Sequence, residues 1–204
     1  MPQNPRGYDF HELLSALQKD IRRGNEYQAV FWAVELESFN PTALWNRLRV
    51  IASEDIGIAN PLAPLVIDVL EKEYDARRRE NDSYRLFLVH AILFLARSCK
   101  SRIVDDFLSV VYGEIQHEDK KLPIPDYALD MHTHRGRKLG RSYEHFFSEG
   151  CKLKNEPFEN PYTEKAKAVL IKYGGLKLPF KKEKKIIQKK VVQRHLAETS
   201  MLIE

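Results

Sequence analysis

Apolar residues recur at three- and four-residue spacing over most of the first 120 positions, with little sustained alternation. That period predicts amphipathic helices and an all-α class. Phe10, Leu13, Leu14, Leu17 and Ile21 make a first stripe, Val30, Ala33, Val34 and Leu36 a second, and Leu44, Leu48 and Ile51 a third. Leu62, Leu65, Val66, Val69 and Leu70 follow, then Leu86, Val89, Leu93 and Phe94, then Ile103, Val104, Phe107, Leu108, Val111 and Ile115. Six helices are expected before residue 120.

Start and stop signals sharpen this pattern. Asn40-Pro41 pairs an N-cap residue with proline at the first helical position, and Asn60-Pro61 repeats the signal. The helix behind Asn40 should stop near Gly57, which leaves Ser53-Glu54-Asp55 as an acidic elbow between two helices. Carboxylates at a helix C-terminus oppose its dipole by about 0.3–1 kcal/mol each, so the elbow requires a compensating arginine or a free backbone amide.

The elbow segment RLRVIASEDIGIANP, Arg47 to Pro61, lies in order with four others: YDFHELLSALQKDIRRGN at Tyr8 to Asn25, AVFWAVELE at Ala29 to Glu37, HAILFLARSCKSRIVDDFL at His90 to Leu108 and LPIPDYALD at Leu122 to Asp130. Together these resemble the C-terminal region of the replication-associated recombination protein A family, AAA+ ATPases also called RarA or MgsA proteins and related to clamp loaders. The resemblance covers roughly the first 130 residues. It implies an all-helical bundle similar to clamp-loader collar domains, assembling as a homotetramer or, failing that, a dimer. It also implies a scaffold in DNA replication, recombination or repair.

The motor of that family has no counterpart here. A phosphate-binding loop needs glycine-rich turning backbone that ends in Lys-Ser or Lys-Thr, and Gly174-Gly175 runs into Leu-Lys-Leu-Pro instead. The chain therefore resembles the assembly domain alone, and Met1-Pro2 suits a natural beginning. No nucleophile elbow, zinc-binding helix or kinase signature is present, so the chain reads as a non-enzyme without cofactor. Glu35, Glu37, Glu54 and Asp55 are the carboxylates that helix packing would have to gather for acid and base chemistry.

Charge divides the chain unevenly. Residues 163–204 hold eleven Lys and Arg against four Glu, or +7, while the whole chain is +4, which leaves −3 for residues 1–162. A helical domain over 1–160 with a basic extension over 161–204 follows. The densest stretch, Lys181 to His195, interleaves Ile186, Ile187, Val191 and Val192 with Lys181, Lys182, Lys184, Lys185, Lys189 and Lys190. Such lysines can displace counterions from a nucleic-acid backbone, or simply solvate a tail that docks through its four aliphatic residues. A membrane-surface helix ranks behind both, because Trp and Phe are missing from Lys181 to Glu204.

A second basic run places Arg135, Arg137, Lys138 and Arg141 around Gly136 and Gly140, with Tyr143, Phe146 and Phe147 following. Glycine admits close backbone approach, arginine forks grip phosphate, and the rings offer stacking faces, which suits nucleic acid, with single-stranded or forked DNA as the expected partner, or a phosphorylated ligand. Alternatively these arginines pair the acidic elbow and the rings complete a core. His132 and His134, with Asp130, Glu144 and His145 nearby, raise a rival reading: a metal-assisted enzyme acting on a phosphate-containing substrate at the His132 to Arg141 loop. Four cations in that run would repel a divalent ion, so the imidazoles read as loop histidines. His11 and His90 sit in apolar stripes as packing histidines. A further rival is a protein-only adaptor for a separate AAA+ ATPase.

Cys99 and Cys151 are the only cysteines, which fits a reducing cytoplasm better than a disulfide framework. Neither a signal segment nor an uninterrupted apolar run of membrane length occurs. Phe31, Trp32, Phe39 and Trp45 crowd one hairpin, as core or as an assembly face.

Overall fold

The computed structural model describes residues 4–79 and 82–174. Its secondary structure is helical throughout, and no strand occurs among the described residues. It divides into two compact units after Lys121, while the 160/161 division read from charge concerns composition. The first unit contains α1 (Phe10–Arg23), α2 (Glu26–Phe39), α3 (Pro41–Ile51), α4 (Ala63–Arg77), α5 (Arg85–Arg97) and α6 (Ile103–Glu118), the six helices that the periodicity predicts. The second contains the short α7 (His134–Lys138) and α8 (Tyr143–His145), and α9 (Thr163–Tyr173).

Local signals set the helix starts. Asp9 caps α1 by accepting from the amides of His11 and Glu12, and Asn40 caps α3 by accepting from Ala43 with Pro41 in the first turn. Asn60 does not cap α4, which begins at Ala63 without a side-chain cap. Its amide instead donates to Ser98 Oγ at 3.2 Å.

Leu13, Leu17 and Ile21 of α1, Ala29, Ala33 and Leu36 of α2, Leu44, Trp45 and Leu48 of α3, Ile67 and Tyr74 of α4 and Leu88, Ile92 and Leu95 of α5 form one continuous core. Phe31, Trp32 and Phe39 are half-buried beside it. Tyr8 meets Phe31 and Trp32 edge-on, and Trp32 Nε1 donates to Asp20 Oδ2 at 2.8 Å. These rings seal the N-terminal segment onto α2; of the hairpin aromatics Trp45 lies in the core and Trp32 packs against it, while Phe31 and Phe39 are half-buried.

Three apolar stripes point differently from the sequence expectation. α4 buries Ala63, Ile67, Leu70 and Tyr74, while Leu62, Leu65 and Val69 are 60%, 64% and 55% exposed. α5 buries Leu88, Ala91, Ile92, Leu95 and Ala96 and exposes Leu86. α6 buries nothing. His11 and His90 are exposed, because each lies beside the buried stripe of its helix and not on it.

Candidate functional site

The elbow is a π-helical turn, Ala52–Ile56, that continues α3. Such turns place one extra residue per turn and re-aim side chains. Here the turn carries Asp55 into the interior with no exposed surface. Its Oδ2 accepts from Gln18 Nε2 at 2.9 Å and its Oδ1 from Arg22 Nε at 2.6 Å, both donors projecting from α1. Arg102, just ahead of α6, reaches Asp55 Oδ1 at 3.5 Å and Glu54 Oε1 at 3.1 Å, and also pairs Asp105. Arg22 joins Glu54 at 3.2 Å, and Arg47 of α3 donates to Gln18 Oε1 at 3.0 Å. A buried carboxylate is tolerable only when it is paired and hydrogen-bonded, and this one has both.

Burial raises the Glu54 pKa, but donors Gln18 and Arg102 and the charges of Arg102 and Arg22 outweigh it, so its carboxyl lies below the ordinary glutamate value. An arginine does compensate the elbow, as the dipole argument requires, yet the arginines are Arg22 and Arg102. Arg137 and Arg141 pair within the second unit, and Arg135 has no acidic partner among the described residues. Glu35 is satisfied by Asn4 and Arg6, and Glu37 accepts from Tyr74, so the four carboxylates named from sequence do not converge.

The same elbow orients α6. Ser101 N donates to the Asp55 carbonyl at 2.9 Å, and Gly57, at φ 48°, lets Val104 Cγ2 approach within 2.9 Å of where a Cβ would stand. Only the first turn of α6 is anchored in this way. Beyond it Phe107, Leu108 and Ile115 are 68%, 54% and 58% exposed. Val104, Leu108, Val111 and Ile115 repeat at four, three and four residues, the spacing of a helix-pairing seam. Between Val50 of α3 and Val104 and Leu108 of α6 lies an apolar groove of about 380 Å³, rimmed by Arg49 and Glu54.

The basic loop lies in the second unit. Thr133 caps α7 by accepting from Gly136 N at 2.9 Å while its hydroxyl donates to the Asp130 carbonyl at 3.0 Å. Gly136 is buried so tightly that a Cβ there would stand 1.7 Å from the Asp130 carbonyl oxygen. Arg137 donates to the carbonyls of Met131 and His132, and Arg141 pairs Asp126 at 2.7 Å. Arg135 and Lys138, three residues apart and exposed, have no acidic partner among the described residues. Tyr143 stacks on Phe147 with ring centroids 6.2 Å apart, and Phe146 meets His132 edge-on at 5.2 Å, so the rings pack on neighbours. His132 Nδ1 lies 3.0 Å from Asp130 Oδ2, and this contact holds the Asp130 carboxyl below its ordinary value. No three metal-ligating side chains converge among the described residues. Lys181, Lys182, Lys184, Lys185, Lys189 and Lys190 lie outside the described residues.

Residues 25–173 match the sequence profile of the family described as MgsA AAA+ ATPase C terminal. The chain belongs to that family. This MgsA C-terminal domain is 29% identical over 169 residues to the replication-associated recombination protein A of Bacillus subtilis, covering 76% of the chain and 39% of that protein. It is 26% identical over 148 residues to the protein of the same name from Haemophilus influenzae, covering 70% of the chain and 32% of the relative. It is also 27% identical over 164 residues to the ATPase WRNIP1 of Dictyostelium discoideum, covering 76% of the chain and 18% of the relative. The chain thus spans about two fifths or less of these proteins, in their C-terminal part. That places the MgsA domain in a replication and recombination family.

Sequence reasoning named Ser53, Glu54 and Asp55 but missed Gln18, Arg22 and Arg102 as partners of the two carboxylates, and Arg47 as the donor that holds Gln18. The signal was present: Gln18 and Arg22 stand four apart on α1, one turn along the same face. Among the described residues, no helix of this MgsA domain is long and apolar enough to cross a membrane.

Proposed function

We propose that this chain is a non-catalytic assembly domain that binds copies of itself, to a homotetramer, and carries DNA-binding groups for replication, recombination or repair. The observation that carries the reading is α6: a helix with a pairing seam, held by the elbow at its first turn and without a buried residue. Full burial of a large apolar side chain contributes about 1.5–3 kcal/mol, so sealing Val104, Phe107, Leu108, Val111 and Ile115 on both chains of a dimer contributes on the order of 10 kcal/mol. Association costs about 4–15 kcal/mol. A dimer built on α6 alone is therefore weak. In an antiparallel pair Asp105 and Glu114 approach across the seam, but Arg102 and Lys120 already neutralise them within each chain.

DNA binding is assigned to Arg135 and Lys138, with Arg137, Arg141 and the lysines from Lys181 to Lys190 adding charge. The test is mass in solution by light scattering, with and without a short single strand and a forked duplex, across a salt series. The wild type should be a tetramer that shifts onto DNA with steep salt dependence, and Arg135→Ala with Lys138→Ala should lower the salt slope by about two. Phe107→Glu should reduce the mass while leaving helicity intact. A wild-type monomer that ignores both DNAs refutes the proposal.

A further inference from the structure

A hollow of about 380 Å³ opens where the end of α2 meets the end of α4 and the start of α5, in the size range of small-molecule sites. Val34, Pro41, Leu88 and Val89 give it apolar walls, and Tyr84 an aromatic one. Two side chains of opposite charge, Glu37 and Arg78, line the same space. No ion pair joins them. Glu37 Oε1 accepts from the Tyr74 hydroxyl at 2.8 Å and has no other partner among the described residues, and Arg78 has no acidic partner there.

Tyr74 holds the carboxylate in place. Its ring is 2% exposed and meets Trp45 and Tyr84 edge-on, with centroids 5.3 and 5.0 Å apart. Burial and the hydrogen bond to Glu37 push the hydroxyl's pKa up, so it keeps its proton and remains the donor. An ionised carboxylate offers about four acceptor sites, of which Tyr74 takes one. The hollow therefore combines spare acceptor capacity on Glu37 with spare donors on Arg78, inside walls that are otherwise apolar.

Opposite charges that share a cavity without pairing fit a ligand that joins them. Such a ligand needs apolar faces, adjacent N–H donors for the carboxylate and an acceptor for the guanidinium. Guanine has that edge: N1–H and the N2 amine donate side by side, and O6 accepts from arginine. Adenine sets an acceptor, N1, where Glu37 requires a donor. Arg79, exposed and without an acidic partner among the described residues, follows Arg78 and adds positive potential for a phosphate attached to the base. We propose that this hollow is a guanine site, which takes a guanosine phosphate or the terminal guanine of a DNA strand and reads the base edge with Glu37 and Arg78. The site belongs to the first unit, goes beyond the assembly reading and uses none of its residues.

Isothermal titration calorimetry of the full chain with GMP tests the proposal, with IMP, AMP and inorganic phosphate as comparison ligands and circular dichroism as a check on folding. GMP should bind once per chain, at least about tenfold tighter than AMP and than IMP, which lacks the N2 amine. Glu37→Gln should abolish the preference for GMP over IMP, and Arg78→Ala should weaken GMP about tenfold. If Glu37→Gln unfolds the unit, Arg78→Ala, which leaves the Tyr74 pair intact, carries the test. A short single strand ending in guanine that displaces GMP, where the same strand ending in adenine does not, identifies a strand end as the source; GMP held against both strands identifies the free nucleotide. The absence of binding at millimolar GMP, equal affinity for GMP, IMP and AMP, or GMP affinity unchanged in folded variants overturns the guanine site and leaves the assembly reading untouched.

Discussion

Asp55→Ala removes a carboxylate with no exposed surface that accepts from Gln18 Nε2 at 2.9 Å and Arg22 Nε at 2.6 Å. The alanine leaves an amide and a guanidinium donor facing an apolar gap, bounded by α1 and the π-helical turn. Breaking a buried pair by deleting one partner costs about 3–5 kcal/mol. Against a total stability of about 5–15 kcal/mol this is a large fraction. For a unit of this size it corresponds to a Tm lower by roughly 10–20 °C. Urea unfolding followed by the fluorescence of buried Trp45 and half-buried Trp32 reads the loss directly. Arg22→Ala alone should cost less, because Asp55 keeps Gln18 and Arg102, and the double-substitution cycle should show a coupling of about 1–3 kcal/mol. Self-association should weaken in parallel, since Arg102 then has only Glu54 and Asp105 to fix the start of α6. A loss below about 1 kcal/mol with an unchanged m-value would refute the reasoning. The elbow would then be held by the packing of Ile51 and Ile56, and its ion pairs would be incidental.

Two further outcomes follow from the same geometry. Glu54 has a folded pKa below its ordinary value of 4.5, so the stability it contributes is fully present above that value and is lost as pH falls through the folded pKa. Acid unfolding of the first unit as pH falls below 4.5 should therefore be less steep in Glu54→Gln, and identical slopes would contradict the assignment. In the second unit, Gly136→Ala places a methyl 1.7 Å from the Asp130 carbonyl oxygen, a backbone atom that cannot yield as a side chain does. The Thr133 cap should open, with about 2 kcal/mol or more lost locally, seen as faster amide exchange over residues 130–141 and weaker DNA binding. Unchanged exchange there would show that the turn is not built as described.

How far the sequence reaches differs from element to element. Asn40-Pro41 placed the start of α3 correctly because its cap is made within four residues. Asn60-Pro61 carries the same letters, but the Asn60 amide is drawn to Ser98 and α4 begins later. The acidic elbow was visible as an electrostatic problem, whereas its solution by Arg22 and Arg102 spans separations of 33 and 47 residues. The basic loop was visible as composition, and only its geometry separates Arg135 and Lys138, which have no acidic partner among the described residues, from Arg137 and Arg141, which are spent on carbonyls and Asp126.

By itself the sequence determined the all-helical class, six helices before residue 120 and an elbow that demanded a cationic partner, because periodicity, caps and helix dipoles act over a turn or two of chain. Tertiary structure alone decided which stripe of each helix faces inward. On α4 the inner positions Ala63, Ile67, Leu70 and Tyr74 and the outer positions Leu62, Leu65 and Val69 are all apolar on a helix, so the choice is made by where α3 and α5 stand, and on α6 by an anchor that reaches only its first turn. Burial and ion pairing are properties of positions brought together in space, and one-dimensional spacing fixes only the angle between side chains on a single helix.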